Sequence, residues 1–271
     1  MNRQFQAVIA AAFAALAGLL VSLLGAMLVS ALAAGSAIAE VLEGKIEHVQ
    51  VMPSLSEDLQ PGRRFSLSLF EGESPSNEWV QLPDWMAGKW SLKNETAVLR
   101  IDFRAGTTNT TPYNFRADST FEYGMQKDRL GHVWHYIGTP YHSKTGLMMF
   151  DEYHLVTGKH FNRSDEEEVA FTSVVTVARV RPIDRHITEV FQQESITSYR
   201  PIPSEGGTLI NLSASTKSFD KDGQPLVQTD NVARVKKIRP FTPINQYQGK
   251  NMKELFREFL IAKGLTNLLP D

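Results

Sequence analysis

Hydrophobic and polar residues alternate strictly in two stretches near the middle of the chain. Every second residue is apolar in 97–103, and the same alternation returns in 115–123, where Phe115, Phe121 and Tyr123 share one set of positions. A period of two is typical of β-strands that have one buried and one solvated face. Weaker patterns of the same kind predict further strands at 64–71, 87–93, 131–137, 146–156, 167–181, 186–199, 206–218 and 225–238.

The segments between these strands are short and contain turn-forming residues. They lie at 128–131, at 182–184 and at 220–223, where the sequence Asp-Lys-Asp-Gly provides a glycine for a positive φ angle. Strands and helices do not alternate, which argues against a parallel sheet. We therefore predict an all-β fold, an antiparallel meander of about ten strands that closes into a barrel or stacks as a sandwich.

One amphipathic helix is predicted near the end of the chain. Asn251 is a suitable N-cap with Glu254 three residues later, and Gly264 is a suitable C-terminal stop. We expect the apolar face to dock on the outer wall or at one mouth of the barrel, and a partner or a membrane surface is the alternative. The apolar face consists of Met252, Leu255, Phe256, Phe259 and Leu260.

The N-terminal segment differs from the rest of the chain. Residues 7–39 contain no charged residue, Arg3 precedes them, and they end in Ala37-Ile38-Ala39. These features predict a secretory signal that is cleaved after Ala39. Because the apolar run exceeds the ~20 residues needed to cross a bilayer, an uncleaved membrane anchor is the alternative. Both interpretations place the remainder outside the cytoplasm, either secreted or periplasmic.

The rest of the chain divides into a linker (40–62), a β-barrel domain (63–249) and a C-terminal helix with its tail (250–271). Arg3 is the only charged residue before Glu40, so residues 40–271 hold 27 of the 28 basic and all 30 acidic residues, a net charge of −3. Such a balance does not favour nucleic-acid binding. The chain has no cysteine, which excludes disulfides, thiolate metal sites and cysteine nucleophiles.

A short motif at the predicted start of the barrel suggests a family. The segment from Trp85 to Trp90 reads Trp-x-x-Gly-x-Trp, and it resembles the Gly-x-Trp signature that opens the first strand of lipocalins and related calycin barrels. The resemblance implies that Gly88 permits a tight turn into the strand and that Trp90 closes the barrel floor. It also implies a basic residue from 234–239 over the indole, with Arg234, Lys236 and Arg239 as candidates, and a small, mostly apolar molecule bound inside the barrel.

Aromatic residues with polar tips suggest where that molecule would bind. If the faces that carry them all point inward, they line one cavity, in which His132 or Tyr136 orients the polar end of the ligand. The alternative is an ordinary core, and a shift of one residue in register would move each set to the other face. The predicted ligand-binding residues are Phe121, Tyr123, His132, Trp134, Tyr136 and Phe171.

Metal and catalytic motifs are weak. No two histidines have the His-x-His spacing, although His132 and His154 could meet across a hairpin near Asp151 or Glu152 as a metal or haem site. The sequence contains no Gly-x-Ser-x-Gly, phosphate-loop or His-Glu-x-x-His motif. We therefore expect no metal and no cofactor.

The favoured function is an extracytoplasmic binding protein for a small lipophilic or aromatic molecule, with membrane contact only through residues 7–39 if these are retained. The alternatives are an isomerase or hydrolase on the same barrel, and a structural or interaction module with a filled core. A cavity of ~300 Å³ or more would favour the first two, and titratable groups that converge in it would favour the enzyme.

Overall fold

The computed structural model describes residues 47–70, 76–202 and 208–270. The predicted signal or anchor, residues 1–39, lies outside these ranges. Within them the chain is almost entirely β-structure with a single α-helix, and no helix there is long and apolar enough to span a membrane. Short 3-10 turns lie at Glu57–Leu59, Leu67–Phe70 and Thr266–Leu268.

The first strands are β1 (Ser76–Leu82), β2 (Gly88–Asp102), β3 (Thr107–Asn109), β4 (Tyr113–Tyr123), β5 (Gln126–Lys127), β6 (Val133–Thr139) and β7 (Tyr141–Gly146). The later ones are β8 (Asp151–Ser164), β9 (Val169–Val180), β10 (Ile187–Pro201), β11 (Leu209–Phe219), β12 (Pro225–Arg239), β13 (Gln246–Tyr247) and β14 (Lys250–Asn251). The helix is α1 (Met252–Ala262).

The largest sheet is a curled antiparallel meander. Eight of its nine strands follow the order β3-β2-β12-β11-β10-β9-β8-β7, and the ninth, β4, pairs with the other part of β2. This confirms the all-β antiparallel fold, but the sheet forms an open half-barrel rather than the closed barrel that we predicted. Closure fails because β6, which lies between β4 and β7 in the chain, pairs with β1 and β5 in a separate sheet.

Several strand predictions need correction. The predicted strands 87–93 and 97–103 are one continuous strand, β2, and its pairing with β4 is interrupted by a register shift between Leu92 and Asn94. The predicted strand 64–71 contains a 3-10 turn, in which Phe70 packs into a core instead of extending a ladder. The alternation there does not mark a strand, because Phe65 packs into this core whereas Leu67 is exposed. Strand β1 was missed because its first half is polar.

The predicted turn at 220–223 is confirmed. The amide of Asp220 donates to the carbonyl of Gln224 over 2.8 Å, and Gly223 has a φ of 78°. A Cβ at Gly223 would lie only 1.7 Å from the carbonyl oxygen of Met52, so a side chain there would clash with the backbone that crosses the turn. This crossing backbone belongs to residues 47–70.

Residues 47–70 lie along the outer face of the large sheet. Phe65 packs against Tyr153 with ring centres 4.3 Å apart, and Phe70 joins the same cluster. The cluster also contains Ala178 and Val180 of β9, which alternate with the residues that face inward. The segment therefore buries the convex side of β8 to β10 and leaves the inner face to build a second core.

Helix α1 follows the predicted pattern. Met252, Phe256 and Leu260 are fully buried, and the Asn251 side chain accepts the amide of Glu254 at 3.3 Å. Gly264, with a φ of 72°, donates to the carbonyl of Ile261, which ends the helix as expected. The helix docks on the small sheet of β1, β5 and β6, against Trp79, Trp134 and Tyr136.

Candidate functional site

Trp90 forms the floor of the inner core. Its indole has no exposed surface, and its Nε1 donates to the carbonyl of Met86 over 2.8 Å. The ammonium of Lys237 lies 4.8 Å from the ring centre. The basic residue over the indole is thus Lys237, from the expected stretch of β12, and not one of the three candidates named from the sequence. Of those candidates, Arg239 pairs with Glu122 at 3.0 Å.

Gly88 allows β2 to pass very close to the chain that follows β12. Its φ of 129° is unfavourable for residues with side chains, and a Cβ there would lie 2.6 Å from the carbonyl oxygen of Arg239. This backbone contact sets the position of Trp90, two residues later. The arrangement of Gly88, Trp90 and a basic side chain is the one that the lipocalin resemblance implies.

Side chains of adjacent strands form layers on the inner face of the half-barrel. Phe171 lies opposite Thr197, which lies opposite Ala214 and then Asn231. In the next layer, Lys159, Ser173, Ser195 and Thr216 face one another in the same way. On β9 the inner face therefore changes from aromatic Phe171 to polar Ser173 within two residues.

A cavity of about 80 Å³ lies between these layers. Its apolar wall includes Leu92, Phe121, Tyr123, Phe171 and Leu212. Its polar wall includes Glu95, Ser119, Lys159, Ser173, Ser195, Thr216 and Asn231. An apolar wall with a few convergent polar groups is the usual composition of a small-molecule site.

Lys159 is the cationic group of the cavity. Its Nζ lies 4.3 Å from the ring centre of Phe171, 5.4 Å from that of Tyr123 and 5.5 Å from that of Phe161. Within the described ranges, no carboxylate lies within ion-pair distance of it. Burial lowers the pKa of Lys159 to about 8. The three aromatic rings stabilise its ammonium through cation–π contacts.

Glu95 is the acidic group. It is 3% exposed, and its Oε2 accepts a hydrogen bond from Nδ2 of Asn231 over 3.1 Å. Burial raises the pKa of Glu95 to about 7, although the bond from Asn231 acts in the opposite direction. The carboxyl group is therefore part neutral and part ionised near pH 7.

Two more polar atoms face the cavity with unused hydrogen-bonding capacity. Asn231 Oδ1 and Ser119 Oγ are buried and have no partner in the described part of the chain. Ser119 is 4% exposed and Asn231 is 7% exposed. A buried polar group left unpaired costs about 1–3 kcal/mol. Both residues line the cavity, so a molecule bound there is within their reach.

The structure brings only part of the predicted site together. Phe121, Tyr123 and Phe171 line the cavity as expected. Tyr199, which the sequence analysis did not single out, joins them, and its hydroxyl accepts a 3.4 Å hydrogen bond from Tyr123. Burial raises the pKa of both tyrosines, so they stay neutral at ordinary pH.

Trp134 and Tyr136 lie away from the cavity, which corrects the face that we assigned to them. They lie beneath helix α1, and Tyr136 also hydrogen bonds to Asn77. His135 takes the opposite face of β6, with its ring centre 5.2 Å from that of Tyr123. Residues 133–137 are all buried, so alternation could not distinguish the two faces of this strand.

His132 also lies outside the cavity and supports a turn. Its Nδ1 lies 2.9 Å from Oδ2 of Asp128, and the same oxygen accepts the indole N–H of Trp134 over 3.0 Å. His154 instead pairs with Glu152 at 3.0 Å, so the structure does not unite His132 and His154. Within residues 47–70, 76–202 and 208–270, no three His, Asp or Glu side chains are grouped to hold a metal ion.

Glu95 and Lys159 were missed as site residues. Each lies in a polar stretch of a long strand, and a local register shift near each changes which face it takes. The signal that was available is a charged residue inside a strand, which is uncommon on a buried face. Only the pairing of β2 with β12 and of β8 with β9 shows that both face inward.

A second polar cluster on the outer face resembles a hydrolase triad in its distances alone. His48 Nδ1 lies 2.8 Å from Glu194 and His48 Nε2 lies 2.8 Å from Ser215. Ser215 has no exposed surface, and its hydroxyl donates to Asp230 over 2.5 Å. Because a substrate cannot reach this hydroxyl, the cluster serves to hold the segment from His48 against the sheet.

No protein-family model, curated protein or solved structure matches this chain. The resemblance to lipocalins therefore rests on the residues around Trp90 and on the curled antiparallel sheet, without support from a relative.

Proposed function

We propose that this protein binds a small organic molecule in the cavity on the inner face of its half-barrel sheet. The observation that carries the proposal is the set of polar groups around an aromatic-walled cavity, with a lysine and a glutamate of shifted pKa and two unpaired polar atoms. A core that served only stability would avoid such groups, because each buried unpaired polar atom costs free energy. The cavity of about 80 Å³ is smaller than the ~300 Å³ that would favour a binding protein or an enzyme by size. Size therefore favours the structural module with a filled core, and the polar groups are what support binding.

The volume of the cavity limits the ligand. At about 80 Å³ it holds the equivalent of two or three water molecules, each of which occupies ~30 Å³ in the liquid. Sites for drug-sized ligands have ~300–1,000 Å³. We therefore infer a ligand with few heavy atoms, whose apolar part contacts Phe121 and Phe171 and whose polar part contacts Lys159 or Asn231.

The lipocalin-like architecture and the location outside the cytoplasm are part of this proposal. Gly88, Trp90 and Lys237 support the first, because they form the floor arrangement that the family's motif implies. The charge-free run 7–39, which ends in Ala-Ile-Ala, supports the second.

An enzyme on the same scaffold is the second candidate. Lys159 and Glu95 have pKa values of about 8 and about 7, and groups that titrate near neutral pH suit general acid–base catalysis. Turnover of a bound ligand, lost in both Lys159→Met and Glu95→Gln, would favour this candidate over simple binding.

Binding is tested by calorimetry with a panel of small acids, alcohols and amides. Ala214 lines the cavity, so Ala214→Leu should fill it and abolish binding. Ala105 is exposed in a turn, and Ala105→Leu is the matched control that should bind like wild type. The proposal fails if no member of the panel binds wild type, or if Ala214→Leu binds as well as Ala105→Leu.

A further inference from the structure

Lys159 faces the cavity without a carboxylate to neutralise it. Three aromatic rings surround its Nζ, and the nearest polar neighbours by register are hydroxyls, since Lys159 pairs with Ser173 and Ser173 with Ser195. Ser195 is already engaged with Thr216 at 2.8 Å between their oxygens. Aromatic faces attract an ammonium but do not neutralise its charge.

Glu95 does not provide that neutralisation. It is the one carboxylate among the described residues that line the cavity, and it is engaged with Asn231. Burial alone accounts for the lowered pKa of Lys159, and burial also disfavours the ionised form of Glu95. Among the described residues, the ammonium of Lys159 therefore has no carboxylate beside it in the cavity.

We propose that the ligand of this cavity is a small monocarboxylate, whose carboxylate pairs with Lys159 while its apolar part contacts Phe121 and Phe171. The inference rests on the proposed binding function and specifies its ligand class. A carboxylate would supply the missing counter-charge in this partly buried cavity, and charge-assisted hydrogen bonds are the strong ones in proteins. A small amine would be repelled by Lys159.

The test compares matched small acids and amides by calorimetry: acetate against acetamide, and propionate against propionamide. Wild type should bind the acid of each pair about tenfold to a hundredfold more tightly, the range expected for one charge-assisted hydrogen bond. Lys159→Met should remove this preference, and Lys159→Arg should keep it. Lys93→Met, which removes an exposed lysine, is the matched control and should behave like wild type.

The outcomes separate this inference from the proposed function. Equal affinity for acids and amides, or an unchanged preference in a folded Lys159→Met, would overturn the monocarboxylate while leaving a binding protein. Absence of binding by all four probes would overturn both. The preference should also decline as the pH rises through about 8, where Lys159 loses its proton, and a preference that persists unchanged at pH 10 would contradict the pairing.

Discussion

Replacement of Trp90 by alanine tests the floor of the inner core. The indole is fully buried and packs in a cluster with Met86, Leu92 and Phe121. Its N–H is also bonded to the carbonyl of Met86 over 2.8 Å. The variant therefore removes a large apolar group, one hydrogen bond and the ring beneath Lys237 together.

The expected loss of stability follows from these contacts. Deletion of a buried tryptophan costs about 3–5 kcal/mol. The contact of Lys237 with the ring contributes about 0.5–2 kcal/mol of this at most, and the indole hydrogen bond about 1 kcal/mol. For a domain of 150–250 residues, 1 kcal/mol corresponds to about 2–4 °C in Tm. We therefore expect Tm to fall by about 6–20 °C.

Two further variants separate the contributions of the indole N–H and of the Lys237 charge to this loss of stability. Trp90→Phe keeps an aromatic ring but removes the N–H donor, so it should be destabilised less than Trp90→Ala. Lys237→Met keeps most of the aliphatic stem and loses the charge above the ring. The free energy of unfolding is measured by urea titration and Tm by calorimetry, both on residues 40–271.

The control is Tyr113→Ala, which truncates an aromatic residue that is 63% exposed on β4. Substitutions at exposed positions usually change the free energy of unfolding by no more than about 0.5 kcal/mol. If Trp90→Ala lowers Tm no more than Tyr113→Ala does, Trp90 does not hold the floor of the core. The argument from the lipocalin motif would then lose its physical basis.

Two other predictions concern pH and export. Burial raises the pKa of Glu95 to about 7 in the folded protein, above its unfolded value, so its contribution to stability is complete below about pH 4.3 and is lost as the pH rises through about 7. Glu95→Gln should therefore gain stability relative to wild type between pH 5 and pH 8 in urea titrations, and a constant difference would contradict the raised pKa. The exported protein should begin at or near Glu40 by N-terminal sequencing, whereas a membrane-bound form that retains Met1 would replace cleavage with an anchor.

The alternation of hydrophobic and polar residues was sufficient to predict the strands that have one buried and one solvated face. The alternation in β4 gave its boundaries closely, and the long strands from β9 to β12 were found with their turns. Helix α1 was also predicted with its cap at Asn251 and its stop at Gly264, because its apolar stripe and capping residues lie within a few turns of each other.

The sequence by itself therefore determined the antiparallel meander, the C-terminal helix and the positions of Gly88 and Trp90, since these depend on neighbours a few residues apart. Tertiary structure decided that β6 leaves the large sheet, so that the half-barrel stays open. It also decided that His135, and not Trp134 or Tyr136, packs against Tyr123 on the inner face of the large sheet. Both faces of β6 are buried, and alternation carries no information there.

The candidate site depends still more on long-range pairing. Glu95 and Lys159 lie on strands that are distant in the chain, and local register shifts in β2 and β8 set the face that each presents. A shift of one residue reverses the face of a side chain, and no local pattern records where such a shift occurs. The charges of the cavity could therefore be recognised only after the strands were paired.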